Sequence, residues 1–324
     1  MVHETITSRR AAPADADRAF QVFRAALNDY LARAGQELVP DENDQGPGFL
    51  HMLRHDGECC WVAERKGDVV AWGSAIVRGD WWFLSSLFVL PEAQGEGVGA
   101  ELLRRAMTGA PRHAVSATVT DTPQPVSNTL YARRGILPRE ALLGFVGTPR
   151  AGTTLGGEAL PRLGTLEAEQ LSLVALPELT ALDLAVLGFE RSVDHRFYLD
   201  DGGRRGWLFR RAGRAVAYAQ YRQTGWIGPL ACLRAADVEP VLRFVVAELA
   251  TLGVEKVKAA VPAHCEGAQR VCWGPVCSTT PPLACCSPPV RSAVWTATCR
   301  RATGCSDRAG MLPRVGDGAM WRDP

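Results

Sequence analysis

The apolar positions of this chain follow two periods that alternate along it, and the alternation predicts where helices and strands lie. Between Asp15 and Arg33, the residues Ala19, Phe20, Phe23, Ala26, Leu27, Tyr30 and Leu31 recur at three- and four-residue steps, as on a helix with one buried face. A strand from about Thr5 to Arg10 is expected before it. An acidic, turn-rich stretch from Glu37 to Gly48 follows, then a short helical piece at Phe49 to Arg54. Trp61 to Glu64 and Val69 to Val77 read as a strand pair around Lys66-Gly67-Asp68. Phe83 to Leu90 is apolar apart from Ser85 and Ser86 and reads as a buried strand; Pro91 ends it because proline has no N–H for the ladder. A helix is expected from near Gly99 to about Gly109, a strand at Ala114 to Val119 and a helix ending at Gly135. A strand at Leu142 to Val146 closes the unit.

Residues from about Thr148 to Gly164, rich in Gly, Pro, Thr and Arg, interrupt the pattern as a linker would. The rhythm then returns. Trp207 to Arg210 and Ala215 to Tyr221 pair around Ala212-Gly213-Arg214, Trp226 to Leu233 is a strand, Val238 to Leu252 a helix stopped by Gly253, and Val254 to Val261 a strand. The expected class is α/β with mixed sheets. The expected units are 1–149, a linker at 150–164, a second unit at 165–270 and an irregular tail at 271–324.

Between the buried strand and the helix near Gly99 lie Gln94, Gly95, Glu96, Gly97, Val98 and Gly99. Three glycines in five positions let backbone N–H groups converge on an anion, and the dipole of the following helix favours the same charge. There is no Gly-Lys-Ser or Gly-Lys-Thr, and Leu102 stands where a dinucleotide fingerprint needs its third glycine. Taken alone, the loop also fits a strand-to-helix turn that binds nothing. The run V-x-P-x-x-Q-G-x-G-x-G from Val89 to Gly99 resembles motif A of the GNAT superfamily of N-acetyltransferases, with Gln94, Gly97 and Gly99 as the matching residues. Downstream, SNTLYARRGI from Ser127 to Ile136 resembles motif B of the same family.

The resemblance implies two tandem acetyltransferase folds, the second incomplete at its end, and acetyl-CoA as co-substrate. It places the pyrophosphate on Gln94, Gly95, Glu96, Gly97, Val98, Gly99 and Ala100, the acetyl carbonyl on a free N–H near Phe88 and Val89, and Asn128 on the coenzyme face of the motif B helix. Tyr131 falls where the family carries a general acid for the leaving thiolate; by itself it reads better as a core aromatic with its hydroxyl bonded to backbone. The implied reaction is direct attack of a primary amine, on a small molecule or a peptide, on the thioester. Asp80, Glu92, Asp29 and Ser85 with ordered water are candidates for the base. A non-catalytic acyl-CoA-binding or regulatory protein is the competing expectation. The acidic segment before Phe49 is the expected acceptor wall, though it also fits an ordinary surface loop. In the second unit, Leu230 to Arg234 lead into the helix without a Q-x-x-G-x-G, so no standard coenzyme site is expected there.

Composition narrows the partners. The chain has 324 residues, enough for two cores, and a net charge of +1 from 36 basic and 35 acidic residues. Nucleic-acid and membrane partners are therefore not expected, and no segment reaches the roughly 18 apolar residues of a membrane span, so cytoplasm is the expected compartment. Cys59 and Cys60 read as core thiols. One of Trp81 and Trp82 is expected to pack inward, and the other to floor a substrate cleft. His51, His55, His113, His195 and His264 show no metal spacing, and no metal is expected. Six of the ten cysteines lie between Cys272 and Cys305 without C-x-x-C pairs. Codons for Val271 to Asp307 can be chosen so that a shifted frame gives a periodic segment ending in a stop, continuing Ala268 as A-x-x-V-L-x-x-G-L. A frameshifted tail after Arg270 is therefore expected.

Overall fold

A computed structural model describes residues 5–36, 38–39, 46–121, 123–149, 163–200, 203–272, 277–278 and 298–299. The acidic stretch at 40–45, most of the linker at 150–162 and nearly all of the expected frameshifted tail lie outside the described residues.

The first half builds a five-stranded sheet in the order β1-β2-β3-β4-β5 from β1 (Thr7–Arg10), β2 (Cys60–Arg65), β3 (Asp68–Arg78), β4 (Trp81–Val89) and β5 (Val115–Thr118). Neighbours run antiparallel except β4 and β5, which are parallel. Helices cover both faces, so the middle of the sheet is dry and β3 is buried along nearly its whole length. On one face lie α1 (Ala16–Arg33) and α2 (Gly46–His55). Phe23 of α1 meets Phe49 at 5.8 Å and Phe88 at 4.8 Å, and Phe49 meets the fully buried Trp72 at 5.5 Å. On the other face lie α3 (Val98–Ala106) and α4 (Pro125–Ala132), whose Leu103, Ala106 and Tyr131 cluster with Ala75, Trp82 and Leu84. Gly73 lets α3 settle close to β3: a Cβ there would stand 3.2 Å from that of Leu102.

The second half repeats this order. A sheet in the order β7-β8-β9-β10 is formed by β7 (Glu167–Gln170), β8 (Arg204–Arg211), β9 (Arg214–Arg222) and β10 (Ile227–Cys232), with Thr298–Cys299 parallel to the end of β10. Its faces carry α5 (Leu176–Leu187) with α6 (Ser192–Asp200), and α7 (Val238–Thr251) with α8 (Glu266–Cys272). The pattern alone does not single out α5 and α6, because the apolar residues of LPELTALDLAVL spread around the helix rather than lining one stripe.

One strand corrects the expected layout. β6 (Leu142–Pro149) does not close the first sheet. It runs antiparallel to β11 (Val257–Pro262), with Leu142 opposite Pro262 and Gly147 opposite Val257. The physical reason lies in β11, whose side chains pack in the core of its own half but whose backbone, among the described residues, pairs with that half's sheet only through a single bridge, Trp226 to Lys258. Its backbone groups need a partner, and β6 supplies them. The exchange carries the chain out of the first half before the linker.

The halves also meet through side chains. Asp194 of α6 takes a two-pronged bond from Arg78 at the end of β3, at 2.7 Å to Nε and 2.6 Å to Nη2, and a contact of 2.9 Å from His51 Nε2 of α2. Arg78 also donates to Asp56 at 2.9 Å, and Phe197 stacks on His51 at 4.4 Å. All four ionic partners are buried.

Candidate coenzyme cleft

β4 is longer than its parallel neighbour, and that difference makes an opening. Pairing with β5 starts at Trp81 opposite Val115 and stops at Leu84 opposite Thr118, where Thr118 Oγ1 donates to the Leu84 carbonyl at 3.0 Å. From Ser85 to Val89 the β5 side of β4 has no strand beside it among the described residues. A bulge sits at the point of divergence. Ser74 faces Ser86 and Ala75 faces Leu84, so Ser85 is the extra residue that turns the rest of the strand.

The direction of the free groups follows from alternation. The N–H of Leu90 is taken by the Val70 carbonyl at 2.9 Å, on the β3 side. Successive residues of a strand point opposite ways, so the N–H and C=O of Val89 face the opening. The Val89 carbonyl receives the Gln94 side-chain amide at 3.0 Å. Phe88, named with Val89 from the sequence, points its main chain at β3 and packs its ring on Phe23. Val89 is the residue of the two that presents a main-chain donor.

The loop beyond it has the shape of an anion cradle. Gly95 and Gly97 adopt φ of +82° and +80°, and no atom lies within 4 Å of where their Cβ would be. Gly97 caps α3, with Glu101 N–H bonded to its carbonyl at 3.1 Å. The first-turn N–H groups of Val98, Gly99 and Ala100 therefore lack carbonyl partners within the helix and point out of its positive end. Glu96 is the one like charge on the loop, and Arg65 holds it at 2.5 Å while also donating to the Glu92 carbonyl at 3.2 Å. Two residues beyond the end of β5, Thr120 Oγ1 is buried with no partner among the described residues. An open glycine cradle, an outward strand N–H and an orphaned hydroxyl fit the phosphates and amides of a coenzyme A molecule.

The remaining candidates sit as follows. Tyr131 is 3% exposed, in the apolar cluster below Leu84, and its carbonyl closes the helix end toward Arg134 and Ile136. Asn128 donates its amide to the Asp121 carbonyl at 3.1 Å, fixing the loop between β5 and α4. Among the proposed bases, Asp29 is ion-paired to Arg33 at 2.6 Å, and Asp80 and Glu92 are exposed. Ser85 is half-buried in the bulge. Trp82 is fully buried and donates to the Ala106 carbonyl at 3.2 Å, whereas Trp81 packs on Phe189 of the second half at 5.6 Å. Cys59 and Cys60 are buried, and desolvation pushes the Cys59 thiol up to about 11, so it stays protonated. No group of three or more metal-binding side chains occurs among the described residues. No helix among them is long and apolar enough to cross a membrane. In the second half, β10 passes into α7 through a 3-10 turn at Ala235–Asp237, with no glycine cradle.

Sequence reasoning missed the bulge at Ser85, because a strand with one extra residue keeps its composition and loses only its parity. The Ser85-Ser86 pair, which disturbs an otherwise apolar run, was the available signal.

Residues 21–136 match the model of the Acetyltransferase (GNAT) family. No curated protein matches the chain. Among solved structures, an acetyltransferase from Pyrococcus horikoshii superposes with a TM-score of 0.62 at 17% identity, covering 84% of this chain and 85% of its own. A GCN5-related N-acetyltransferase from Sphaerobacter thermophilus gives 0.55 at 15%, covering 80% and 87%. A tandem GNAT protein from the clavulanic acid biosynthesis pathway gives 0.50 at 16%, covering 80% and 91%. At these identities the likeness is one of fold. The α/β fold with mixed sheets is thus that of GCN5-related acetyltransferases, and the sequence of residues 21–136 together with the fold of the chain supports the GNAT acetyltransferase family.

Proposed function

We propose that this protein is an N-acetyltransferase that uses acetyl-CoA to acetylate a primary amine on a small molecule or peptide. The observation that carries this reading is the divergence of β4 from β5 after Leu84, directly beside the Gly95–Gly97 cradle. Acetyl-CoA would supply an activated thioester. The chain's own groups would do the rest by position: the first turn of α3 takes the pyrophosphate, and the Val89 N–H binds along the pantetheine arm. The bulged backbone at Ser85 would bind the acetyl carbonyl. Tyr131, beneath Leu84, is the proposed proton donor to the departing thiolate. The first half, 1–149, is the catalytic unit in this reading and the second a degenerate copy of it. The passage from β10 to α7 runs through a 3-10 turn without a glycine cradle, and the similarity to a tandem GNAT protein supports the same division.

The burial of Tyr131 inside an apolar cluster favours one competing reading, in which the cleft binds acyl-CoA without transfer. A Tyr131→Phe variant separates the two. An enzyme that uses this phenol should keep its coenzyme affinity and lose about 100- to 10,000-fold in turnover on an amine panel. Unchanged turnover would remove Tyr131 from the mechanism. No acetyl transfer from wild-type protein that binds the coenzyme would establish the binding-only reading.

A further inference from the structure

Every deeply buried arginine but one in the described residues has its charge met by a carboxylate. Arg78 bonds Asp194 through Nε and Nη2, the side edge of the guanidinium, and Arg191 meets Asp183 through the same edge at 2.9 and 3.4 Å. Arg204, at the start of β8, is 4% exposed. Its Nη1 donates to the Gly228 carbonyl, but Nε and Nη2 are buried with no acceptor among the described residues. That is the edge whose two parallel N–H groups match the two oxygens of a carboxylate.

The surroundings sharpen this. Arg222, the Cα partner of Arg204 across the β8–β9 ladder, also leaves its Nε buried and unpartnered. Like charges directly opposite on neighbouring strands repel. The two buried carboxylates of α5 and α6 are already engaged: Asp183 by Arg191, His195 and Tyr218, and Asp194 by Arg78 and His51. The Tyr198 ring covers one face of the Arg204 guanidinium at 4.6 Å. Burial without a counter-charge lowers the Arg204 pKa to about 10. The strand end is not sealed, since Gly203, Gln223 and Thr224 are exposed and Arg222 is half-buried.

We infer that Arg204 and Arg222 form a binding site for the carboxylate group of a small molecule, held on the Nε and Nη2 edge of Arg204 with Arg222 Nε beside it and Tyr198 as its wall. The site is separate from the cleft at Val89 and Gly97 and stands whether or not that cleft transfers acetyl groups. A free arginine edge buried without an anion costs stability; an anion that occupies it restores the pairing.

The test is thermal unfolding of the full chain at pH 7.5 and fixed ionic strength, with acetate replacing chloride, in wild type, Arg204→Met and Arg222→Met. A saturable rise of a few degrees with acetate is expected in the wild type, with at least tenfold weaker apparent affinity in either variant. Arg222→Met carries the test if Arg204→Met does not fold. Phosphate in place of acetate distinguishes the sources. A phosphate effect that survives in both variants belongs to the glycine cradle and leaves the acetate result to decide. A phosphate effect lost in the variants without an acetate response would assign the pair to phosphoryl groups and overturn the carboxylate inference. No acetate response in the wild type, or an equal response in all three proteins, would overturn it as well.

Discussion

Single residues set the local chemistry through what they leave unpaired and what they neutralise. Arg65 shows the second effect, because by holding Glu96 it neutralises the one negative charge on the loop proposed to receive phosphate. Arg65→Ala should therefore weaken acetyl-CoA binding while leaving the fold intact, and calorimetry at low and high salt will measure it. The loss should shrink as salt screens the freed carboxylate. Asp194 shows the cost of an unbalanced burial. Desolvation opposes its ionised form, but the bonds from His51 and Arg78 outweigh it and hold its carboxyl well below the usual range. Asp194→Ala leaves Arg78 buried with Asp56 alone, and denaturant unfolding should show a loss of about 3 to 5 kcal/mol. His195 carries a pH signature. Burial lowers its pKa against the pull of Asp183, with Arg191 adding to the lowering. The unfolded chain therefore binds its proton first as pH falls, so the His195 contribution is complete above about pH 6.5 and is lost below it. The pH 7 to 5 slope of unfolding free energy should flatten in His195→Gln.

Elements show where the sequence was legible and where it was not. The helix at α1, the hairpin of β2 and β3, and the strand and cradle of β4 and α3 follow from local patterns, because one buried face, a Lys-Gly turn or a glycine cluster leaves a mark within a few residues. Gln94, Gly97 and Gly99 were readable for the same reason. β6 was read as a strand but assigned to the wrong sheet, since its periodicity says that a face is buried and not against which strand. α5 escaped because apolar residues such as Leu184 also lie on its exposed side and blur the stripe, and α6 because its buried positions are Asp194, His195 and Tyr198. The ion cluster of Arg78, Asp56, His51 and Asp194 joins residues far apart in sequence, and no spacing encodes it. The exchange of β6 makes its own prediction. Phe145→Pro removes a donor opposite Ala259 and should destabilise the second half as much as the first, seen as lost amide protection in both β6 and β11 by hydrogen exchange.

At the scale of the whole molecule, two sheets of like topology are tied by the β6–β11 pairing and a buried ion cluster, and one of them keeps an open cleft with a glycine cradle. The division of labour proposed above rests on that cleft. Gly97 is its most exposed dependence: a φ of +80° suits glycine, while valine there costs on the order of 1 to 2 kcal/mol locally and turns the first N–H groups of α3 aside. Titration of acetyl-CoA into wild type and Gly97→Val by calorimetry is the most direct measurement. Micromolar binding to the wild type, weakened at least 30-fold in a variant that still unfolds cooperatively, is expected; no binding to the wild type, or equal binding to both, would contradict the placement of the coenzyme in this cleft.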